Sequence, residues 1–205
     1  MTTLLFVVGA YLLGSISFAV LMSKVFDLPD PRTYGSKNPG ATNVLRSGKK
    51  AAAVLTLLGD AAKGWLAVYL AKHLAPHSME ALLIVAAVGL AVFLGHLFPI
   101  FLRFQGGKGV ATALGVLLAL NVWLGLGALL TWVLVVAVTR LSSLGALVAA
   151  ALVPVYAILL VLPREFLITC VVMSLLLVWR HKKNIQNLMT GKEGRVGQKA
   201  VPQQQ

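Results

Sequence analysis

A chain of 205 residues that is 59% hydrophobic and only 12% charged has too little polar surface for a soluble domain, where charged residues reach about a quarter. Its mean hydropathy of +0.87 and several nearly uncharged windows close to or beyond 18 residues read as membrane-spanning helices. The net charge of +12 comes in clusters without interleaved aromatic residues, which argues against nucleic acid as a partner and for membrane lipids.

The first apolar segment covers 2–23. Its start, Met1-Thr-Thr-Leu-Leu5, lacks the positive region and cleavage pattern of a secretory signal, so the segment is expected to stay. Residues 24–50 then form a polar loop with six basic residues: Lys24, Arg32, Lys37, Arg46, Lys49 and Lys50. Within it, Ser36, Asn38, Thr42 and Asn43 stand among Gly35 and Gly40. Hydroxyls, amides and exposed backbone N–H groups are donors for phosphate oxygens, and an arginine such as Arg46 adds a bidentate charge. Thr42 or Asn43 is placed to cap a helix beginning near Val44, whose N-terminus would favour an anion.

The second apolar segment covers 51–71 and contains Gly59-Asp-Ala-Ala-Lys-Gly64. Asp60 and Lys63 are three apart on one helical face, near the bilayer centre, so they are expected to pair and to line or brace a polar cavity. A short turn over 72–80, with His77, suits the outer side. The third segment, 81–102, carries His96 in Gly95-His-Leu-Phe-Pro99, where a polar group inside an apolar helix marks a cavity.

The loop 103–109 holds Phe104-Gln-Gly-Gly-Lys-Gly109. Gly106, Gly107 and Gly109 can take positive φ, letting N–H groups converge on an anion with Lys108 as a point charge. This is not a Walker A loop: Leu102 stands where that pattern needs glycine, and Gly109 where it needs Ser or Thr.

The remaining segments read as 110–120, 123–139, 142–162 and 166–179, with a break near Asn121, a kink at Pro154 and a boundary at Pro163. A basic tail follows, from Arg180 through Lys199. The two loops and the tail hold 14 of the 18 lysines and arginines, which by the positive-inside rule puts all three in the cytoplasm and the N-terminus outside. An even number of crossings must then separate loop 103–109 from the tail. The expected architecture is an all-α integral membrane protein: one domain over 1–180, a bundle of about seven transmembrane helices, and a tail over 181–205. Five spans, with the last apolar piece in the interface, is the alternative. In the tail, His181, Asn184 and Asn187 share a helical face able to close over the same pocket.

The blocks Gly14-Ser15, Gly35-Ser-Lys-Asn-Pro-Gly-Ala-Thr-Asn43, Gly59-Asp-Ala-Ala-Lys-Gly64, Gly95-His-Leu-Phe-Pro99, Gly106-Gly-Lys-Gly-Val-Ala-Thr112 and His181-Lys-Lys-Asn184 occur in this order along nearly the whole chain. Together they resemble the bacterial acyl-phosphate:glycerol-3-phosphate acyltransferase family. The resemblance implies a seven-helix enzyme of the inner membrane, its site facing the cytoplasm. It would move a long-chain acyl group from acyl phosphate to glycerol 3-phosphate. It also implies that Ser36, Arg46, Lys108, His181 and Asn184 surround glycerol 3-phosphate, and that Thr42, Asn43 and Gly106–Gly109 contact acyl phosphate. Lys37 departs from the family, where a smaller residue, often glycine, is usual.

No His-x₄-Asp box and no Gly-x-Ser-x-Gly elbow is present. With an activated donor, a substrate phosphate is the expected proton acceptor, Lys108 stabilises the leaving charge, and His181 is the competing base. Scattered histidines and isolated acids predict no metal and no cofactor. The single Cys170 lies in an apolar run, where it reads as packing. A transporter of a phosphorylated solute is the rival reading, with Asp60–Lys63 as its midplane feature. A phosphotransferase of cytidine-diphosphate lipids would need paired aspartates, and the chain has only Asp27, Asp30 and Asp60.

Overall fold

The computed structural model describes residues 2–75 and 80–197; His77 and Lys199 of the sequence analysis lie outside the described residues. Within them the chain is helical throughout, with no strand. The helices are α1 (Thr2–Gly14), α2 (Phe18–Val25), α3 (Ala41–Leu45), α4 (Lys50–Leu74), α5 (Ala81–Leu97), α6 (Val110–Leu120), α7 (Val122–Thr139), α8 (Ser142–Leu159), α9 (Arg164–Arg180) and α10 (Lys182–Met189). Among the described residues, α4, α7, α8 and the stretch Ala81–Leu102 are each long and apolar enough to cross a bilayer; α1 and α2 together make a fifth candidate, bent by 42° at their junction.

Local chemistry sets the breaks. Asn121 ends α6, and its side chain accepts from the N–H groups of Trp123 (2.9 Å) and Leu124 (3.1 Å), capping α7. Pro163 immediately precedes α9, while α8 runs through Pro154. Two expected boundaries differ. The first segment breaks at Ser15–Ser17, where Ser17 caps α2. The third ends at Leu97, because Pro99 cannot supply the N–H that continuing the helix requires; a 3₁₀ turn over Ile100–Leu102 follows.

Helices approach closely where side chains vanish. A Cβ on Gly115 would strike the Ala61 carbonyl and the Trp65 nitrogen, and one on Gly64 would strike the Thr112 carbonyl. The α4 and α6 backbones therefore touch, as small residues permit in membranes. Gly14 and Gly95 do the same for α1 and α5. Val68, Val92, Phe93 and Val116 fill the main core, and Leu124, Val153, Ala157 and Cys170 a second one between α7, α8 and α9. Leu130, Leu134, Leu159 and Leu175 stay exposed, an apolar exterior suited to lipid.

The α1–α2 break leaves backbone carbonyls unpaired inside an apolar bundle, and each unsatisfied group there costs several kcal/mol. Lys63 answers it: its Nζ donates to the Ile16 carbonyl at 2.6 Å and forms an ion pair with Asp60 at 2.8 Å. Lys63→Met should destabilise the protein by about 3–5 kcal/mol, because Asp60 loses its buried counter-charge. The double variant Asp60→Asn/Lys63→Met should lose less than the single one. Thermal unfolding in detergent compares them; a double variant at least as damaged as the single one would contradict the pairing.

Candidate active site

At the basic end of the bundle, α3 and the loop before it, the 103–109 loop, and α10 with the segment after it meet over a cavity of about 220 Å³. Toward the loops its wall is polar, with Ser36, Asn38, Thr42, Asn43, Arg46, Lys108, His181 and Asn184. Between α6, α7, α8 and α9 it becomes apolar, with Leu117, Ala128, Trp132, Ala149, Val153 and Met173. Asp60, His96 and Gly109 also line it; Gly106, Gly107 and Lys63 do not, and sit on a crevice behind His96.

The first loop is organised by Asn43. Its amide nitrogen donates to the carbonyls of Pro31 (2.7 Å) and Tyr34 (3.2 Å), and its oxygen accepts from the Ser36 N–H at 3.0 Å. Asn43 therefore spends its hydrogen-bonding groups holding Ser36 in place. The expected cap is not there: α3 spans Ala41–Leu45, its N-cap is Gly40 without a side-chain bond, and the long helix starts only at Lys50. Thr42 and Asn43 lie inside the short helix, which is too brief to act as a strong anion site. Arg32 is engaged by Asp30 in a bidentate pair at 2.6–3.1 Å, and this bonding holds the Asp30 carboxyl below its ordinary value. The Arg46 side chain makes no hydrogen bond or ion pair among the described residues. Lys37 has φ +56, a left-handed conformation in which a glycine is easier.

The glycine loop differs from expectation in its physics. Of its three glycines only Gly109, with φ +87, takes a left-handed conformation, turning the chain into α6; Arg103 (φ +51) and Phe104 (φ +63) make the earlier left-handed turn. Gly106 and Gly107 are glycines because of space: a Cβ on the first would hit the His96 and Leu97 carbonyls, and one on the second the His96 imidazole. The Gly107 N–H is already bonded to the His96 carbonyl at 3.1 Å. Arg180 braces the other side, donating to the carbonyls of Gly106 (2.7 Å) and Gly107 (3.1 Å). The loop is a packed support rather than an open nest. What faces the cavity is Lys108 and the first turn of α6, whose N–H groups have no partner within the helix.

Lys108 donates to the Asn184 side-chain oxygen at 2.6 Å, and the Asn184 amide donates to Glu193 at 2.7 Å. Burial pushes the Lys108 ammonium down to about 8; Glu193 opposes this, while Arg46, Arg180 and Lys183 add to it. His181 is buried, with its Nδ1 2.8 Å from the Leu177 carbonyl, so Nδ1 carries the proton and Nε2 is a lone-pair nitrogen. Burial pushes this imidazole down to about 4. His181 and Asn184 share the cavity as expected from their spacing; Asn187 is not in its wall. His96 approaches Asp60 at 3.5 Å, joining α5 to the Asp60–Lys63 pair.

Arg180 and Glu193 were not singled out by sequence. Arg180 reads as one cation among six, with nothing local to tie it to glycines seventy residues earlier. Glu193 did carry a signal: it is an acid inside a basic tail.

A family profile described as Glycerol-3-phosphate acyltransferase matches residues 4–191. The glycerol-3-phosphate acyltransferase of Janthinobacterium sp. (strain Marseille) is 63% identical, covering 97% of this chain and 99% of its own. That of Herminiimonas arsenicoxydans is 61% identical, covering 97% of each. Among solved structures, the crystal structure of PlsY (YgiH), an integral membrane glycerol 3-phosphate acyltransferase, in its glycerol 3-phosphate form, is similar with a TM-score of 0.89 and 37% identity over 96% of both chains. Its lysophosphatidic acid form is similar with a TM-score of 0.86 and 36% identity over 95% of both.

Proposed function

Because this chain belongs to the glycerol-3-phosphate acyltransferase family, we infer that it moves a fatty acyl group from acyl phosphate to the 1-hydroxyl of glycerol 3-phosphate, releasing lysophosphatidic acid and phosphate. The observation that carries this reading is the continuity of one cavity from a cationic mouth into an apolar interior. A donor with an anionic head and a hydrocarbon chain needs both halves, and a second phosphate needs further donors beside the first. The mouth has them in Ser36, Arg46, Lys108 and the first turn of α6.

In this reading the hydroxyl oxygen attacks the acyl carbonyl carbon and forms the ester C–O bond. The bond from that carbon to the phosphate oxygen breaks, and phosphate departs with the electron pair. The hydroxyl proton passes to an oxygen of a substrate phosphate. His181, held near 4, is a weak proton acceptor at neutral pH, which supports substrate assistance over a histidine base. Lys108 is the group beside the departing charge, and Asn184 fixes its ammonium. Ser36 and Arg46 are assigned to glycerol 3-phosphate, and Thr42 and Gly109 to acyl phosphate. No metal or cofactor takes part.

Seven crossings are assigned, with α1–α2 as the first and α4 to α9 as the rest. The amino terminus is outside, and the loops and tail face the cytoplasm from a bacterial inner membrane, in keeping with the charge distribution. A carrier needs a free midplane ion pair, whereas Lys63 is committed to Asp60 and to the helix break.

Purified protein with acyl phosphate and glycerol 3-phosphate should yield lysophosphatidic acid without added metal. Product from acyl-CoA or acyl carrier protein but not from acyl phosphate would overturn the donor. The pH profile tests Lys108. Its ammonium loses its proton as pH rises through about 8, so kcat/KM for glycerol 3-phosphate should fall above that pH by up to tenfold per unit. Lys108→Arg should carry that fall beyond pH 10, since guanidinium stays charged. An identical profile in both proteins would remove Lys108 from this role.

A further inference from the structure

A carboxylate stands in the cationic mouth. Glu193 lines the cavity beside Lys108 on the segment that follows α10. That segment is held at both ends: the Lys192 N–H donates to the Asn187 carbonyl and the Val196 N–H to the Arg140 carbonyl, each at 2.8 Å. One carboxylate oxygen, Oε1, accepts from the Ser143 hydroxyl at 2.6 Å and from the Asn184 amide at 2.7 Å. The other, Oε2, makes no hydrogen bond among the described residues. A negative charge in a phosphate site costs affinity for phosphate, so its presence asks for a compensating use.

The use lies in what the mouth lacks. Arg46 and Lys108 are donors only, suited to phosphate. A glycerol hydroxyl must also donate, and it needs an acceptor. The Asn184 oxygen is taken by Lys108, the Asn43 oxygen by the Ser36 N–H, and Asp60 by its ion pair with Lys63. His181 Nε2, the Asn38 amide oxygen, the Ser36 and Thr42 hydroxyls and Glu193 Oε2 remain, and of these only the carboxylate is charged, which makes it the strongest acceptor.

We propose that Glu193 is a substrate-positioning residue whose free carboxylate oxygen accepts a hydrogen bond from a glycerol hydroxyl, so that the mouth selects a polyol phosphate over a bare phosphate. This rests on the reading that the cavity takes glycerol 3-phosphate. It separates Glu193 from a mere tether between α8 and α10, which Oε1 alone provides.

Glu193→Gln is the informative variant. The Asn184 amide can only donate, so it keeps the glutamine oxygen in the Oε1 position, and the acceptor at Oε2 becomes an NH₂ donor. The tether survives while the proposed contact is lost. In the acyl transfer assay, KM for glycerol 3-phosphate should rise about tenfold with kcat little changed. Competitive inhibition by inorganic phosphate should stay as strong or become stronger, because a like charge has gone. A raised KM without any weakening of phosphate inhibition is what a tether alone cannot produce. Glu193→Ala should show the same KM change with added loss of thermal stability. Four results would overturn the proposal: neither constant moving, both weakening together, Glu193→Ala failing to raise KM, or kcat collapsing at saturating substrate, which would make Glu193 a base. A wild-type protein without acyl transfer at all would instead remove the underlying reading.

Discussion

A charged pair sealed among apolar helices governs how this molecule is put together. The first segment breaks at Ser15–Ser17, and the carbonyl left open at Ile16 is answered from α4 by Lys63, which Asp60 neutralises and His96 of α5 approaches. Three parts of the chain are thereby fixed to one another just beneath the site. The Gly14–Gly95 and Gly64–Gly115 approaches give the same helices their spacing. His96 passes this order upward, because its carbonyl receives the Gly107 N–H and its ring leaves no room for a side chain there. The position of Lys108 follows from that packing and from Arg180, which holds the glycine carbonyls from the other side.

The mouth above this knot is a problem of charge. Burial is the main reason the Lys108 ammonium is lowered, and the like charges of Arg46, Arg180 and Lys183 add to it. Some of the basic side chains are already engaged. Arg180 is spent on backbone, Arg32 on Asp30, and Lys108 on an amide that Glu193 orients in turn. The side chains of Arg46 and Lys183 make no hydrogen bond or ion pair among the described residues, and Arg46 faces the cavity. In the proposed reaction the substrates' phosphates supply the missing counter-charge. Catalysis then becomes a matter of holding two heads together while the chain of one lies in the apolar part of the cavity.

Much of this architecture was legible from residues alone because membranes impose few alternatives. Two basic regions on one side of the membrane require an even number of crossings between them, so the break near Asn121 that separates α6 from α7 could be read. Asp60 and Lys63 are three apart and intolerable to lipid, so their pairing could be read too. What was not legible is non-local. Nothing in spacing relates residue 60 to residue 96, or residue 180 to the glycines it braces. Glycine announces a constraint without saying whether it is φ or space. At Gly106 and Gly107 it was space, and the expectation of positive φ failed for that reason. Asn43 looked like a cap because Asn caps helices, but its side chain was needed to close the loop on itself.

The central claim is that one cavity holds both anionic heads at its mouth and the acyl chain inside. A structure solved with glycerol 3-phosphate and an unreactive acyl phosphonate bound together tests it most directly. The account predicts the 1-hydroxyl oxygen within about 3–3.5 Å of the carbonyl carbon, with the chain running between α6 and α9. An acyl chain lying on the outer face of the bundle, or the two heads bound at separate places, would contradict it.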